Sequence, residues 1–137
     1  MTRLTFPASR RLTHDLQYQA VYGARMKKVR GPLIVFALRN ELPHHRLGLA
    51  VGKRVGNAPA RNRVKRLLRE SFRQLQHNLP RAAEGAYDLV VSARAHQPLP
   101  QSEYQRLLAE LVQALHTEWG RRDRRRVGQS DPSDQER

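Results

Sequence analysis

The side chains best suited to do chemistry in this sequence are cations that recur from Gly52 to Arg73. The segment from Arg61 to Arg73 contains a single acid, Glu70, and six cations, which are Arg61, Arg63, Lys65, Arg66, Arg69 and Arg73. Guanidinium and ammonium groups form strong charge-assisted hydrogen bonds with phosphates. On an ordinary solvated helix face, acids alternate with bases, because crowded like charges repel one another. The excess of cations therefore predicts a site for a polyanion.

The same segment has the pattern of an amphipathic helix. At about 100° per residue, its apolar side chains share one side and most of its cations share the other. Asn57 can cap the helix, Pro59 is tolerated in a first turn, and no further proline occurs before Pro80. Burial of the apolar side would hold the cations towards solvent.

Side chains for hydrolytic catalysis are sparse in this part of the chain. A magnesium-dependent nuclease gathers several carboxylates, but the acids of residues 1–83 are only Asp15, Glu41 and Glu70, far apart in sequence. The six histidines are scattered, and a structural role for the adjacent pair His44 and His45 is favoured over metal ligation. We expect no catalytic residue, metal site or cofactor in the protein itself.

Charge and length restrict the class of protein further. The 137 residues suffice for one domain, and the formal net charge of +14 favours a nucleic-acid partner. The charge is uneven, since residues 1–83 carry a net +15 and residues 84–137 a net −1. No cysteine, no apolar run of about 20 residues and no secretory signal pattern is present, so we expect a cytoplasmic protein without a membrane partner.

Hydrophobic periodicity predicts an alternation of helices and strands. We expect a helix over 14–22, a basic edge strand over 24–30, a strand over 33–38 and its hairpin partner over 46–51. The basic helix follows, then a strand over 87–93, parallel to the strand at 46–52 because a whole helix connects the two. A last amphipathic helix completes a domain over 1–120, and we expect residues 121–137, basic and then polar, to be a disordered tail.

Two runs of residues identify a family. Lys53-Arg54-Val55-Gly56-Asn57-Ala58, followed by Arg61-Asn62-Arg63-Val64-Lys65-Arg66, resembles the signature of the protein component of bacterial ribonuclease P. In that family, an Arg-Asn-Arg motif begins a central basic helix after a glycine-containing turn. The resemblance extends over about residues 10–118 and is most specific between Arg46 and Arg73.

The resemblance implies a fold and a function. The fold would be α+β, of order α-β-β-β-α-β-α, with a four-stranded mixed sheet and a left-handed β-α-β crossover through the basic helix. Ribonuclease P removes the 5′ leader from precursor tRNA, and in bacteria its RNA subunit carries the active site and the Mg²⁺ ions. The protein would bind that RNA, in a 1:1 complex, together with the single-stranded leader.

The resemblance also implies two binding surfaces. Contacts with the RNA subunit would come from Lys53, Arg54, Gly56, Asn57, Arg61, Asn62, Arg63, Lys65, Arg66, Arg69 and Arg73. For Asn62, a role in holding the turn is an open alternative. Leader contacts would come from a cleft between the first helix and the sheet, formed by Tyr18, Tyr22, Arg25, Lys27, Lys28, Ile34 and Phe36. Here the alternative is that the two tyrosines, Ile34 and Phe36 are ordinary core.

Two rival functions share part of this pattern. A ribosomal or general RNA-binding protein would have the charge but would not change the cleavage of precursor tRNA. A self-sufficient nuclease would cut precursor tRNA without any RNA subunit.

Overall fold

The computed structural model describes residues 7–81 and 85–129, with side chains through residue 125. The order of helices and strands is the predicted one, with short 3-10 turns at Ala8–Arg10 and Lys53–Val55. The elements are α1 (Asp15–Gly23), β1 (Lys27–Arg30), β2 (Leu33–Arg39), β3 (Arg46–Ala50), α2 (Ala58–Leu75), β4 (Tyr87–Ala93) and α3 (Gln101–Gln129).

The four strands form one mixed sheet in the order β1-β2-β4-β3. Strand β2 is antiparallel to β1 and to β4, whereas β3 is parallel to β4. The α+β class, the edge position of the basic strand and the parallel pair are thus confirmed. The handedness of the crossover through α2 stays a prediction.

The predicted hairpin between the strands at 33–38 and 46–51 is wrong. Strand β4 lies between β2 and β3 and pairs with both. Six of its seven residues are buried, so it gains more from a central position than β3, which carries the half-exposed Arg46. The prediction paired two strands that are neighbours in the sequence. The more apolar strand, β4, takes the central position although it comes later in the chain.

The two faces of the sheet are covered to different extents. Leu33, Val35 and Ala37 of β2 point into the main core, which also contains the apolar sides of α2 and α3. The opposite face packs against α1 through a much smaller buried cluster of Leu12, Val21 and Val90. Helix α1 therefore leaves part of its face of the sheet accessible.

Helix α2 begins as the sequence predicts. The side-chain oxygen of Asn57 accepts a hydrogen bond from the Ala60 amide at 3.0 Å, and proline occupies the first turn. The helix buries Val64, Leu68 and Phe72, which are at most 3% exposed. These contacts fix the rotation of α2 and hence the direction of its cationic side.

Helix α3 is longer than predicted. It continues to Gln129, so residues 121–129 are helical and the expected disordered tail is wrong for them, while 130–137 lie outside the described residues. Long-range contacts explain the difference, since the Trp119 indole donates a hydrogen bond to the Ala37 carbonyl and Asp123 forms an ion pair with Arg39. Neither contact has a local signal in sequence.

A buried histidine contacts the first residue of β4. His45 is 2% exposed, its Nδ1 accepts the Tyr87 amide at 3.0 Å, and its ring stacks on that of Tyr87. Burial, with the charge of Arg81 as a smaller cause, lowers the pKa of His45 to about 4. The native fold therefore holds this imidazole neutral.

This burial predicts a loss of stability in acid. Since the folded pKa lies below the unfolded value of about 6.5, the unfolded chain binds more protons between the two values. Neutral His45 makes its full contribution to the free energy of unfolding above about pH 6.5. As the pH falls towards 4, this contribution decreases by up to about 3 kcal/mol. His45→Asn keeps an acceptor for the Tyr87 amide but does not titrate.

Denaturant unfolding across this pH range measures the effect. As the pH is lowered, the free energy of unfolding of the wild-type protein should fall more steeply than that of His45→Asn. Parallel pH profiles for the two proteins would contradict the assignment, and other titrating groups cancel in the difference.

Candidate nucleic-acid interface

The side of α2 opposite its buried stripe is a row of cations. Arg63, Arg66 and Arg69 are exposed, and Arg61 and Lys65 are half-buried. The turn before the helix adds Lys53 and Arg54, both exposed. The predicted RNA-subunit cations therefore lie on α2 and on the turn that leads into it.

Ion pairing leaves this face almost uncompensated. In the described part of the chain, no carboxylate forms a salt bridge with Lys53, Arg54, Arg61, Arg63, Lys65, Arg66 or Arg69. Arg73 differs, since its Nε donates to Glu70 at 2.9 Å. Hydrogen bonds from Arg73 and Gln74 lower the pKa of Glu70 to about 2, so this pair stays charged at neutral pH. Of the predicted set, Arg73 is the cation least available to a phosphate.

The conformation of the turn that precedes α2 explains why Gly56 and Asn57 occur there. Gly56 has a φ of 144°, a conformation that other residues rarely adopt. Asn57, rather than Asn62, makes the side-chain hydrogen bond that holds the turn. Asn62 is exposed, and its side chain forms no hydrogen bond among the described residues, so it is available to a partner.

The accessible part of the α1 face contains an aromatic pair. The rings of Tyr22 and Phe36 meet edge to face at 4.8 Å, and Lys27 Nζ lies 5.8 Å from the centre of the Phe36 ring. Tyr22 is 39% exposed. Burial of its inner side, together with the nearby Tyr18, raises the pKa of Tyr22, so the phenol is neutral at physiological pH. Its ring is therefore open to a stacking partner without a repelling charge.

Tyr18 is half-buried between α1 and β3. Its hydroxyl accepts a hydrogen bond from the Leu49 amide at 3.2 Å, and its ring fills the space above Gly48. A Cβ atom on Gly48 would lie 2.7 Å from that ring. Tyr18 is thus both a packing residue and part of the cleft wall, which combines the two readings of the sequence.

A groove joins the two predicted surfaces. It has a volume of about 160 Å³ and lies where Tyr18 faces Lys65 and Arg69 of α2. Arg11 and Leu12 of the N-terminal segment form its rim, held by a hydrogen bond from the Leu12 amide to the Leu47 carbonyl. Sequence patterns did not indicate Arg11, because only this long-range contact with β3 brings it to the site.

The structure does not bring every predicted leader residue into the cleft. Side chains alternate along β1, so Lys27 lies on the α1 face while Lys28 lies on the α3 face, 3.4 Å from Glu118. Including Lys28 in the cleft was therefore wrong.

The other predicted leader residues are accessible to different extents. Arg25 is exposed in the turn after α1, and Ile34 is half-buried beside Val29, an exposed apolar residue that sequence patterns did not indicate. The alternation of side chains along β1 was the signal that could have indicated the positions of both Lys28 and Val29.

Potential metal ligands do not gather in the described chain. Within residues 7–81 and 85–129, no three His, Asp or Glu side chains lie closely enough together to hold a metal ion. In the same part of the chain, no helix has the length and apolar character that crossing a membrane requires.

Comparisons with known proteins agree with this geometry. A family model described as Ribonuclease P matches residues 6–118. The ribonuclease P protein component of Methylococcus capsulatus is 38% identical over 128 residues, covering 93% of this chain and 91% of the relative. That of Haemophilus influenzae (strain PittGG) is 37% identical over 115 residues, covering 82% and 92%.

Solved structures show the same fold. The Staphylococcus aureus RNase P protein superposes with a TM-score of 0.61 at 29% identity, covering 77% of this chain and 94% of that one. The RNase P protein of Thermotoga maritima superposes with a TM-score of 0.64, covering 75% and 96%, and at 24% identity it supports the fold alone. The sequence matches and the shared fold together lead to one conclusion: the chain belongs to the ribonuclease P protein family, the protein component of an endoribonuclease of tRNA processing.

Proposed function

We propose that this protein binds the RNA subunit of ribonuclease P through the outer face of α2 and the single-stranded 5′ leader of precursor tRNA through the cleft beneath α1. The complex then removes the leader endonucleolytically and leaves the mature 5′ end. The observation that carries the proposal is the row of cations on α2 that has no carboxylate partner in the described chain, beside an aromatic cleft.

The α2 face suits a folded RNA. Its cations are spread over about two helical turns between Arg61 and Arg69, so they present several positive groups to a surface of phosphates rather than to one ion. Each phosphate contact releases condensed counterions, which makes such binding strong and dependent on salt. Exposed Asn62 adds a hydrogen-bonding group among the cations.

The cleft suits a single strand of variable sequence. Tyr22 and Phe36 present aromatic surface, Val29 and Ile34 continue it, and Lys27 supplies a charge at its side. Every base has a flat face, so stacking on an aromatic ring tolerates any sequence and contributes about 1–3 kcal/mol per base. A paired base would not expose its face in this way.

The groove at Tyr18 supports a shared role for the two surfaces. Lys65 and Arg69 contribute to both, since they belong to the α2 face and also line the groove at the end of the cleft. A leader strand in the cleft would therefore meet these cations where it approaches the RNA subunit. Precursor tRNA and the RNA subunit would be held side by side.

We infer separate roles for the protein and the RNA subunit. The basic half of the chain contains three widely spaced acids, and the described part contains no cluster of metal ligands. We assign the hydrolysis and the Mg²⁺ requirement to the RNA subunit in a 1:1 cytoplasmic complex, and binding to the protein.

Reconstitution tests this function. Purified protein is mixed with precursor tRNA, with and without a bacterial ribonuclease P RNA, at low and at physiological Mg²⁺ concentration. We expect no cleavage by the protein alone and strong stimulation of the RNA at physiological Mg²⁺. Cleavage without the RNA would establish the self-sufficient nuclease, and binding without stimulation would establish a general RNA-binding protein.

The cleft makes a narrower prediction. Tyr22→Ala removes an exposed ring whose contact with Phe36 is peripheral, so the fold should be retained. In the reconstituted complex, we expect it to weaken binding of leader-bearing precursor by about tenfold or more and to leave mature tRNA unchanged.

Leu16→Ala is the matched control, because Leu16 is 76% exposed on the same helix. It should change neither affinity. Equal weakening of precursor and mature tRNA by Tyr22→Ala would show that the ring acts in the fold and not on the leader.

A further inference from the structure

The last described turns of α3 form a second group of cations. We call residues 119–125 the α3 tip; they lie beyond the segment that the family model matches, which ends at residue 118. The tip contains one acid, Asp123, and the four arginines Arg121, Arg122, Arg124 and Arg125. The function proposed above uses none of these residues.

Specific contacts hold the tip against the sheet. The Trp119 ring lies between two guanidinium groups, with Arg39 Cζ 4.5 Å and Arg122 Cζ 4.8 Å from its centre. The carboxylate of Asp123 accepts two hydrogen bonds from Arg39. Such stacking and bidentate pairing fix a helix end more firmly than exposed single ion pairs do. The arginines of the tip therefore have defined positions.

The carboxylates near the tip are fewer than the cations. Glu118 is shared by Lys28 at 3.4 Å, Arg125 at 3.2 Å and Arg121 at 3.6 Å. Arg121 and Arg125 keep more than 60% of their side-chain surface exposed. Arg124 is exposed and has no carboxylate partner among the described residues. The tip thus retains charge that its own molecule does not neutralise.

The tip lies where the cleft ends. Arg122 Nη1 donates a hydrogen bond to the carbonyl of Ala24, the residue after α1 and two residues after Tyr22. From there, Arg25 is exposed in the turn after α1, Lys27 lies on the α1 face, and Lys28 lies on the other face of β1 next to Glu118. Cations therefore continue from the aromatic pair around the edge of the sheet to the tip.

This end of the cleft is the one far from α2. The groove with Lys65 and Arg69 lies at the edge strand β3, whereas the tip is held by Ala37 and Arg39 of β2 and by Ala24 just before β1. Two to three strand spacings separate them, or about 10–14 Å. A single strand that enters at the groove and crosses the aromatic pair would leave the cleft at the tip.

We propose that the α3 tip is a second site for single-stranded RNA, which binds phosphates of leader nucleotides that extend beyond the cleft. The inference rests on the proposed function, since it assumes that the cleft holds the leader. Contact with phosphates alone gives length dependence without sequence dependence. The protein thereby distinguishes long leaders from short ones.

A charge-removal variant tests the site in the reconstituted complex. Arg121→Ala, Arg124→Ala and Arg125→Ala are combined, which spares the Trp119, Arg122 and Asp123 contacts that anchor the tip. The substrates are precursor tRNA with a short leader that ends within the cleft and precursor tRNA with a long one. For the long leader alone, we expect weaker binding and a salt dependence flatter by about two units of slope, at about 0.7 for each phosphate that the variant no longer binds.

A variant of opposite sign keeps the test independent of folding defects. Glu118→Gln removes the carboxylate shared by three cations and should strengthen binding of the long leader. Arg30→Ala with Arg106→Ala is the control, because both cations pair with Glu110 elsewhere on α3.

The outcomes separate the two proposals. If wild-type complex does not favour leader-bearing over mature tRNA, the proposed function fails. If it does, but the tip variants treat long and short leaders alike, only the second site is overturned. Weaker binding of the RNA subunit by the triple variant, with leader length irrelevant, would likewise overturn it in favour of a contact with that RNA.

Discussion

The structure depends on burial of one side of α2 against the sheet and α3. Crowded cations on a helix repel one another by about 0.2–0.5 kcal/mol per neighbouring pair. Burial of one large apolar side chain contributes about 1.5–3 kcal/mol, and Val64, Leu68 and Phe72 are all almost completely buried. The apolar side therefore outweighs the repulsion and keeps the cations oriented towards solvent in the absence of any partner.

The acids are distributed unevenly between α3 and α2. Glu103, Glu110, Glu118 and Asp123 all belong to α3, where they pair with cations of α3, β1 and β2. Helix α2 has only Glu70, which is committed to Arg73. The part of α3 before its tip thus neutralises its own cations, whereas α2 and the α3 tip do not. The uneven charge along the sequence becomes an uneven charge in space.

Local patterns in the sequence predicted the elements and the α2 face well. The amphipathic period, the Asn57 cap and the absence of acids each act within one helix, so they can be read without the fold. The hairpin, the end of α3 and the placement of Lys28 could not be predicted as readily. They depend on β4 inserting between two earlier strands and on Trp119 and Asp123 reaching β2.

The cleft was predictable in part. Tyr22, Phe36 and Lys27 came together as the resemblance implied, but Tyr18 combines a hydrogen bond to β3 with a place in the cleft wall. Arg11 joined the site through a contact with Leu47 that no local pattern announces. The packing of α1 onto the sheet therefore determines which residues of the cleft are accessible.

The most direct measurement of the central claim is the salt dependence of binding to the ribonuclease P RNA subunit. Wild-type protein is compared with a variant in which Arg61, Arg63 and Lys65 are replaced by alanine, and with Arg106→Ala as a control on α3. We expect the triple variant to bind more weakly, with a log–log slope flatter by about one unit for each phosphate that it no longer binds, and the control to match wild type. An unchanged slope in the triple variant would show that the α2 face does not contact the RNA.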